Sequence, residues 1–270
     1  MEKRLWILCC DIIDYAFKDI DDKKKKRYKH VFFEISNKEM GTFHGDYSGK
    51  DNKIRIFNLS RDDESTLCTS LHELAHHIDY VNRGTSDHSK EFYNVYKELI
   101  KAAIEMELIT KEQILNLKRD ASDTNKVKKI VEELNINKID KYKKDKLIIK
   151  IKNSFDIKDK LKALGYGWNG TSKVWEKEIL AIDKENENKK IESLTNQENI
   201  EIAPANEIKF DCYTYLLVSK SFEYKQQLKE RGYYYDAKRK GWRKKINNKK
   251  INEELLYLNK MGLENISQIN

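Results

Sequence analysis

The chain has 270 residues, 36% of them charged and 39% apolar, with a formal net charge of +8. No apolar run reaches the roughly 18–20 residues that span a bilayer. The four cysteines, Cys9 beside Cys10 with Cys68 and Cys212 far apart, make neither a disulfide framework nor a CxxC metal site, which fits a reducing cytoplasm.

The stretch from Met1 to Asp11 is basic and then apolar, but Asp11 interrupts it and no small-residue cleavage site follows. It therefore reads as the start of a first helix, with Leu5 to Ala16 helical, rather than as a signal. Lys23 to Arg27 reads as a basic turn before an apolar strand, His30 to Ile35. Gly41 to Tyr47 and Lys53 to Phe57 alternate with a period of two around Ser48–Asn52, the pattern of a hairpin. A helix then begins near Asp62. Leu67, Leu71, Leu74, Ala75 and Ile78 fall on one face, acidic residues occupy the first turn, and Gly84 is placed to stop it. Ser86 or Asp87 can cap the next helix, whose Phe92, Tyr96, Leu99, Ile100 and Ala103 keep a helical period.

Within the helix that begins near Asp62 stands His72-Glu73-Leu74-Ala75-His76, a HExxH pattern. Histidines four apart on a helix project from one face, so His72 and His76 can offer two imidazoles to a single tetrahedral Zn²⁺. A zinc with three protein ligands keeps one position for water, and Glu73 is placed to take that water's proton as it attacks a peptide carbonyl. Asp79 and Asn82 stand where a HExxHxxGxxH arrangement needs glycine and a third histidine, so that pattern is ruled out. His88, where the chain returns after Gly84, is the expected third ligand. Asp87 and Glu91 are alternative carboxylate ligands, and Asp79 is a candidate to orient a ligand histidine. His77, turned about 100° from His76 on the helix, reads as an ordinary surface or packing residue.

The remainder is an internal repeat with an offset of 67 residues, Phe155 aligning with Phe222 and Ile179 with Ile246. About ten of the 25 aligned positions are identical. Each copy reads as strand, helix and a two-stranded ribbon ending in Trp175 or Trp242. Asp183 to Glu207, rich in Glu, Asn and Lys and holding the single proline, Pro204, reads as linker. The expected class is α+β: residues 1–135 carrying the chemistry, a βαββ module at 143–182, a linker at 183–207 and a second βαββ module with a C-terminal helix at 208–266.

Aromatics set among cations are how many single-strand binders hold nucleic acid. Trp168, Lys173 and Trp175 in the first copy, and Tyr235, Lys240, Trp242 and Arg243 in the second, are the candidates. The alternative is that modules this small need Trp175 and Trp242 for their cores. The net charge favours a polyanionic partner, although abundant Lys, Asn and Ile is also what AT-rich coding produces.

The HExxH at residues 72–76, followed by His88-Ser89-Lys90-Glu91-Phe92, resembles SprT-like and related minimal zincins, in which the third histidine starts a helix and an aromatic follows four residues later. Ser89 stands where that group usually has glycine. The resemblance covers about residues 30–105. It implies a short sheet whose edge strand presents extended substrate to the zinc and, in the Spartan branch, proteolysis of proteins attached to DNA. The repeats are similar to modules appended to bacterial nucleases and primases, and more distantly to HARP domains, which implies DNA handling. The expected function is a cytoplasmic zinc metallopeptidase acting on protein and associated with single-stranded nucleic acid, DNA rather than RNA. The alternative is a nucleic-acid-binding accessory or antirestriction-like protein of a mobile element, with a non-proteolytic zinc site.

Overall fold

The computed structural model describes residues 2–36, 40, 43–57, 61–117, 121–136, 138–170, 173–206, 210 and 213–269. Gly41, Thr42 and Cys212 of the sequence reading lie outside them. The chain is mixed α+β with several small sheets.

Helices α1 (Glu2–Ala16) and α2 (Asp22–Lys29) precede strands β1 (Phe32–Ile35), β2 (Gly45–Ser48) and β3 (Lys53–Ile56). The basic stretch expected as a turn is the body of α2. It lacks glycine and proline, the Asp21 carboxylate accepts the Lys24 N–H, and Lys26, Arg27 and Lys29 fill the last turn, where cations meet the negative end of the helix dipole. The expected hairpin forms, with β2 antiparallel to β3 from Gly45↔Ile56 to Ser48↔Lys53. β1 lies parallel to β3 on its other side, so the sheet order β1-β3-β2 leaves β2 at an edge.

The helix expected from Asp62 is α3 (Asp63–Arg83). Asp62 caps it by accepting the Ser65 N–H, and Gly84 ends it in the left-handed conformation, φ +77°, with its N–H bonded to the Tyr80 carbonyl. Any side chain would be strained there. α3 packs on β2 and β3 while α1 packs on β1. The predicted face of α3, Leu67, Leu71, Leu74, Ala75 and Ile78, is wholly buried, as are Ile54 and Ile56 of β3. Helices α4 (Lys90–Glu105), α5 (Lys111–Leu115) and α6 (Ala121–Glu133) follow.

The next elements are β4 (Lys146–Ile151), α7 (Lys158–Ala163), β5 (Gly167–Asn169), β6 (Val174–Leu180), α8 (Lys184–Glu192) and β7 (Ile200–Pro204). The last are β8 (Tyr213–Ser219), α9 (Lys225–Glu230), β9 (Tyr234–Asp236), β10 (Gly241–Asn247), α10 (Ile251–Lys260) and β11 (Ile266–Ile269). The two sheets have equivalent orders, β5-β6-β4-β7 and β9-β10-β8-β11. One core holds Ile149, Ile151, Leu161, Tyr166, Trp175, Ile179 and Ile191, and the other holds Leu216, Val218, Leu228, Tyr233, Trp242, Ile246 and Leu258 at the matching positions. Left-handed residues recur with the same offset, at Asn153 and Lys220, Gly165 and Gly232, and Lys173 and Lys240.

The reading of 183–207 as a linker is corrected. This segment holds α8, whose Ile191 is fully buried, and β7, which pairs with β4 from Leu147↔Pro204 to Ile151↔Ile200. Each module is therefore βαββαβ rather than βαββ. The polar composition belongs to the outer face of α8, and Pro204 is tolerated at the end of an edge strand, where its missing N–H breaks no ladder. One compact unit comprises Met1–Ile104, Ile109–Ile136 and Phe210–Asn270, the other Glu105–Leu108 and Asn137–Lys209. Within the first, the Asn248 amide donates to the Arg61 carbonyl at 3.0 Å. Among the described residues, no helix is long and apolar enough to cross a membrane.

Candidate metal centre

His72 and His76 lie one turn apart on α3, half-buried, and His88 is exposed in the segment between Gly84 and α4. The Nε2 of His88 is 3.1 Å from the Nε2 of His76 and 3.1 Å from that of His72. Tetrahedral zinc with Zn–N bonds of about 2.0–2.1 Å separates its ligand nitrogens by roughly 3.3–3.4 Å, close to this arrangement. A ring nitrogen carries either one proton or one lone pair, so three that converge on one point cannot all be satisfied by bonds to one another. A single cation satisfies all three lone pairs, so the donor set fits zinc.

The surroundings of His76 hold its ring in the state a metal needs. The Ser86 hydroxyl lies 2.9 Å from His76 Nδ1. With Nδ1–H donating to Ser86, Nε2 keeps the lone pair that a metal needs. Burial, with His88 adding to it, pushes the His76 pKa down to about 4, so the ring is neutral at pH 7. Beneath the three imidazoles lies Phe92, fully buried, its ring centroid 5.0 Å from His72, 4.3 Å from His76 and 4.9 Å from His88. The HxxxF spacing thus has a local reason: one turn after His88, the aromatic of α4 forms the floor of the site.

The His88 segment is tied to α3 by Arg83. Its guanidinium holds Asp79 through two bonds of 2.7 Å and also donates to Asp87 at 3.0 Å and Ser89 at 3.1 Å. Asp79, expected to orient a histidine, has both oxygens on Arg83, and Ser86, expected as a helix cap, meets His76 instead. Asp87 engages Arg83 and the Ser89 N–H, and among the described residues the cluster able to hold a metal is His72, His76 and His88, without Asp87 or Glu91. Arg83→Ala should lower zinc affinity by about 10–100-fold, the usual cost of losing support behind a ligand. Competition with a chromophoric chelator measures this, and unchanged affinity would show that the His88 segment holds itself.

Glu73 is buried. Burial pushes its pKa up to about 8, and the nearby charge of Asp46 adds to the rise. Gly45 on β2 makes this packing possible: a Cβ there would come 2.8 Å from Thr69 Cγ2 and 2.9 Å from Glu73 Cγ. The edge strand can therefore lie directly against the residue expected to move protons. Sequence reasoning missed Gly45, although a glycine inside a strand pattern is a known sign of close backbone approach. It also missed Arg83 and the part played by Ser86. His77 is buried and bonded to the Tyr47 hydroxyl at 3.1 Å and the Arg27 carbonyl at 3.3 Å, a packing residue rather than a surface one.

The residues expected to meet nucleic acid separate into three groups. Trp168 and Tyr235 are exposed, 52% and 55%, and Lys173 and Lys240 are exposed in the left-handed turns between β5 and β6 and between β9 and β10. Trp175 and Trp242 belong to the module cores, with 7% and 9% of their surface exposed. Arg243 lies over the Tyr215 ring at 3.5 Å, with Asp236 3.7 Å away. No protein-family model, curated protein or solved structure matches the chain.

Proposed function

We propose that the chain is a zinc-dependent metallopeptidase of the minimal-zincin kind, similar to SprT-like proteins, which hydrolyses protein substrates and associates with single-stranded nucleic acid through its C-terminal modules. The observation that carries this reading is the convergence of three histidine Nε2 atoms, two of them from the helix that also holds the buried Glu73. Zinc, when bound, supplies Lewis-acid activation of water and of the scissile carbonyl. The charge of a bound zinc would bring the Glu73 pKa back down from about 8, and the carboxylate would then accept the proton of the attacking water and return it to the leaving amine. His72, His76 and His88 hold the ion, and Ser86, Arg83 and Phe92 fix their orientation.

The edge position of β2 supports a peptide substrate. An edge strand offers unpaired backbone groups to an extended chain, and Gly45 brings that edge against Glu73. The net charge of +8 and the exposed Trp168 and Tyr235 support the nucleic-acid partner. The test is incubation of the zinc-loaded chain with a generic unfolded protein, with and without single-stranded DNA. Cleavage that rises with DNA is expected. A zinc-loaded chain that leaves the substrate intact in both conditions sinks the peptidase reading and favours the accessory-protein alternative.

A further inference from the structure

The internal repeat allows exposed residues to be judged against the fold, because each copy is a control for the other. Of the positions identical between 155–179 and 222–246, Leu161/Leu228, Tyr166/Tyr233, Trp175/Trp242 and Ile179/Ile246 build the cores. Gly165/Gly232 and Lys173/Lys240 take the left-handed turns, and Lys177/Lys244 pair with the buried Glu187/Glu254 at 2.7 and 2.8 Å. Three identities remain outside the cores, the left-handed turns and the buried ion pairs: Phe155/Phe222, Lys158/Lys225 and Lys162/Lys229.

The two phenylalanine rings are 77% and 78% exposed, where an apolar ring contributes little to folding. Lys158 and Lys225 lie over them at 4.5 and 4.8 Å. One turn further along the same helix face, Lys162 and Lys229 each lie 5.9 Å from the ring centre of Trp175 or Trp242. Those tryptophans in turn meet the exposed Trp168 and Tyr235 rings, centroids 5.6 Å apart in both copies. Lys162 also pairs with exposed Asp159 at 3.5 Å, but Gln226 stands at that position in the second copy, so the ion pair does not explain the shared lysine.

We propose that each module carries a strip that binds single-stranded nucleic acid: Phe155, Lys158, Lys162 and Trp168 in the first, and Phe222, Lys225, Lys229 and Tyr235 in the second. Exposed rings at both ends stack unpaired bases, and the lysines between them meet the phosphates. A duplex hides its base faces, so the strips select single strands. This assignment rests on the nucleic-acid part of the function proposed above and adds the residues that bind. It does not need zinc or hydrolysis.

The experiment is fluorescence anisotropy of labelled oligo-dT, oligo-rU and a labelled DNA duplex with the full chain, comparing wild type, the Phe155→Ala/Phe222→Ala variant and the Lys158→Gln/Lys225→Gln variant. Loss of the two rings should raise Kd about 10-fold or more for single strands. Thermal stability should be unchanged, because the rings are exposed. Loss of the two lysines should flatten the slope of log Kd against log salt by about 1.4, roughly 0.7 for each phosphate released. If wild type binds single strands and both variants bind as tightly with the same salt slope, the strips are wrong while nucleic-acid binding stands. If wild type binds no oligonucleotide, or binds duplex as tightly as single strands, the strips are overturned, and in the first case the nucleic-acid partner falls with them.

Discussion

Glu73→Gln is expected to lower peptide hydrolysis by about 10²–10⁴-fold, the usual contribution of a positioned proton-transfer group, while zinc content stays at the wild-type level. The amide has nearly the shape of the carboxyl but cannot accept the water's proton. Zinc binding should survive because Glu73 lies outside the cluster of His72, His76 and His88. Stability should survive as well. Glu73 is buried, and a neutral amide avoids the desolvation that a carboxylate suffers in that position. Hydrolysis rates and zinc analysis on the same preparations check the separation. A variant that cleaves at the wild-type rate would remove Glu73 from the mechanism, whereas loss of zinc with activity would make it a structural support.

Phe92→Ala is expected to cost about 3–5 kcal/mol of stability, as large-to-small changes of a buried aromatic do, and to weaken zinc binding as well. The ring is fully buried and touches all three imidazoles. Its removal therefore leaves both a cavity and three loosened ligands. Urea unfolding of the zinc-free protein isolates the packing effect, and chelator competition on the folded protein isolates the effect on the site. Phe92→Leu, which keeps apolar volume, should recover most of the stability but less of the affinity, because a branched aliphatic chain gives the imidazole faces no flat surface. Equal recovery of both would mean that Phe92 only fills space.

The parts of this protein legible in its sequence are those whose signal is local and periodic. α3 could be placed from its cap at Asp62, its face from Leu67 to Ile78 and its stop at Gly84. The hairpin of β2 and β3 followed from alternation around Ser48–Asn52, and the HExxH spacing set the faces of His72 and His76. What escaped depends on partners distant in sequence. Nothing near Arg83 announces that it bridges Asp79 to Asp87 and Ser89. Ser86 looked like a cap because serine before a helix usually is one, and only the fold brings it to His76. α8 and β7 were hidden by composition: the outer face of a small module's helix is as polar as a linker, and the informative residue, Ile191, is a single apolar position among charges. α2 was obscured for the opposite reason, since a run of lysines reads as a solvated turn although lysine is a good helix former.

The central claim, that His72, His76 and His88 form a zinc site, is tested most directly by zinc K-edge X-ray absorption on the full chain after zinc reconstitution, with metal analysis of the same sample. The account predicts about one tightly held zinc per chain, with nitrogen ligands at about 2.0–2.1 Å and no sulfur ligand, and its loss in His76→Ala. A chain that holds no zinc after reconstitution, or whose zinc survives His76→Ala, would contradict it.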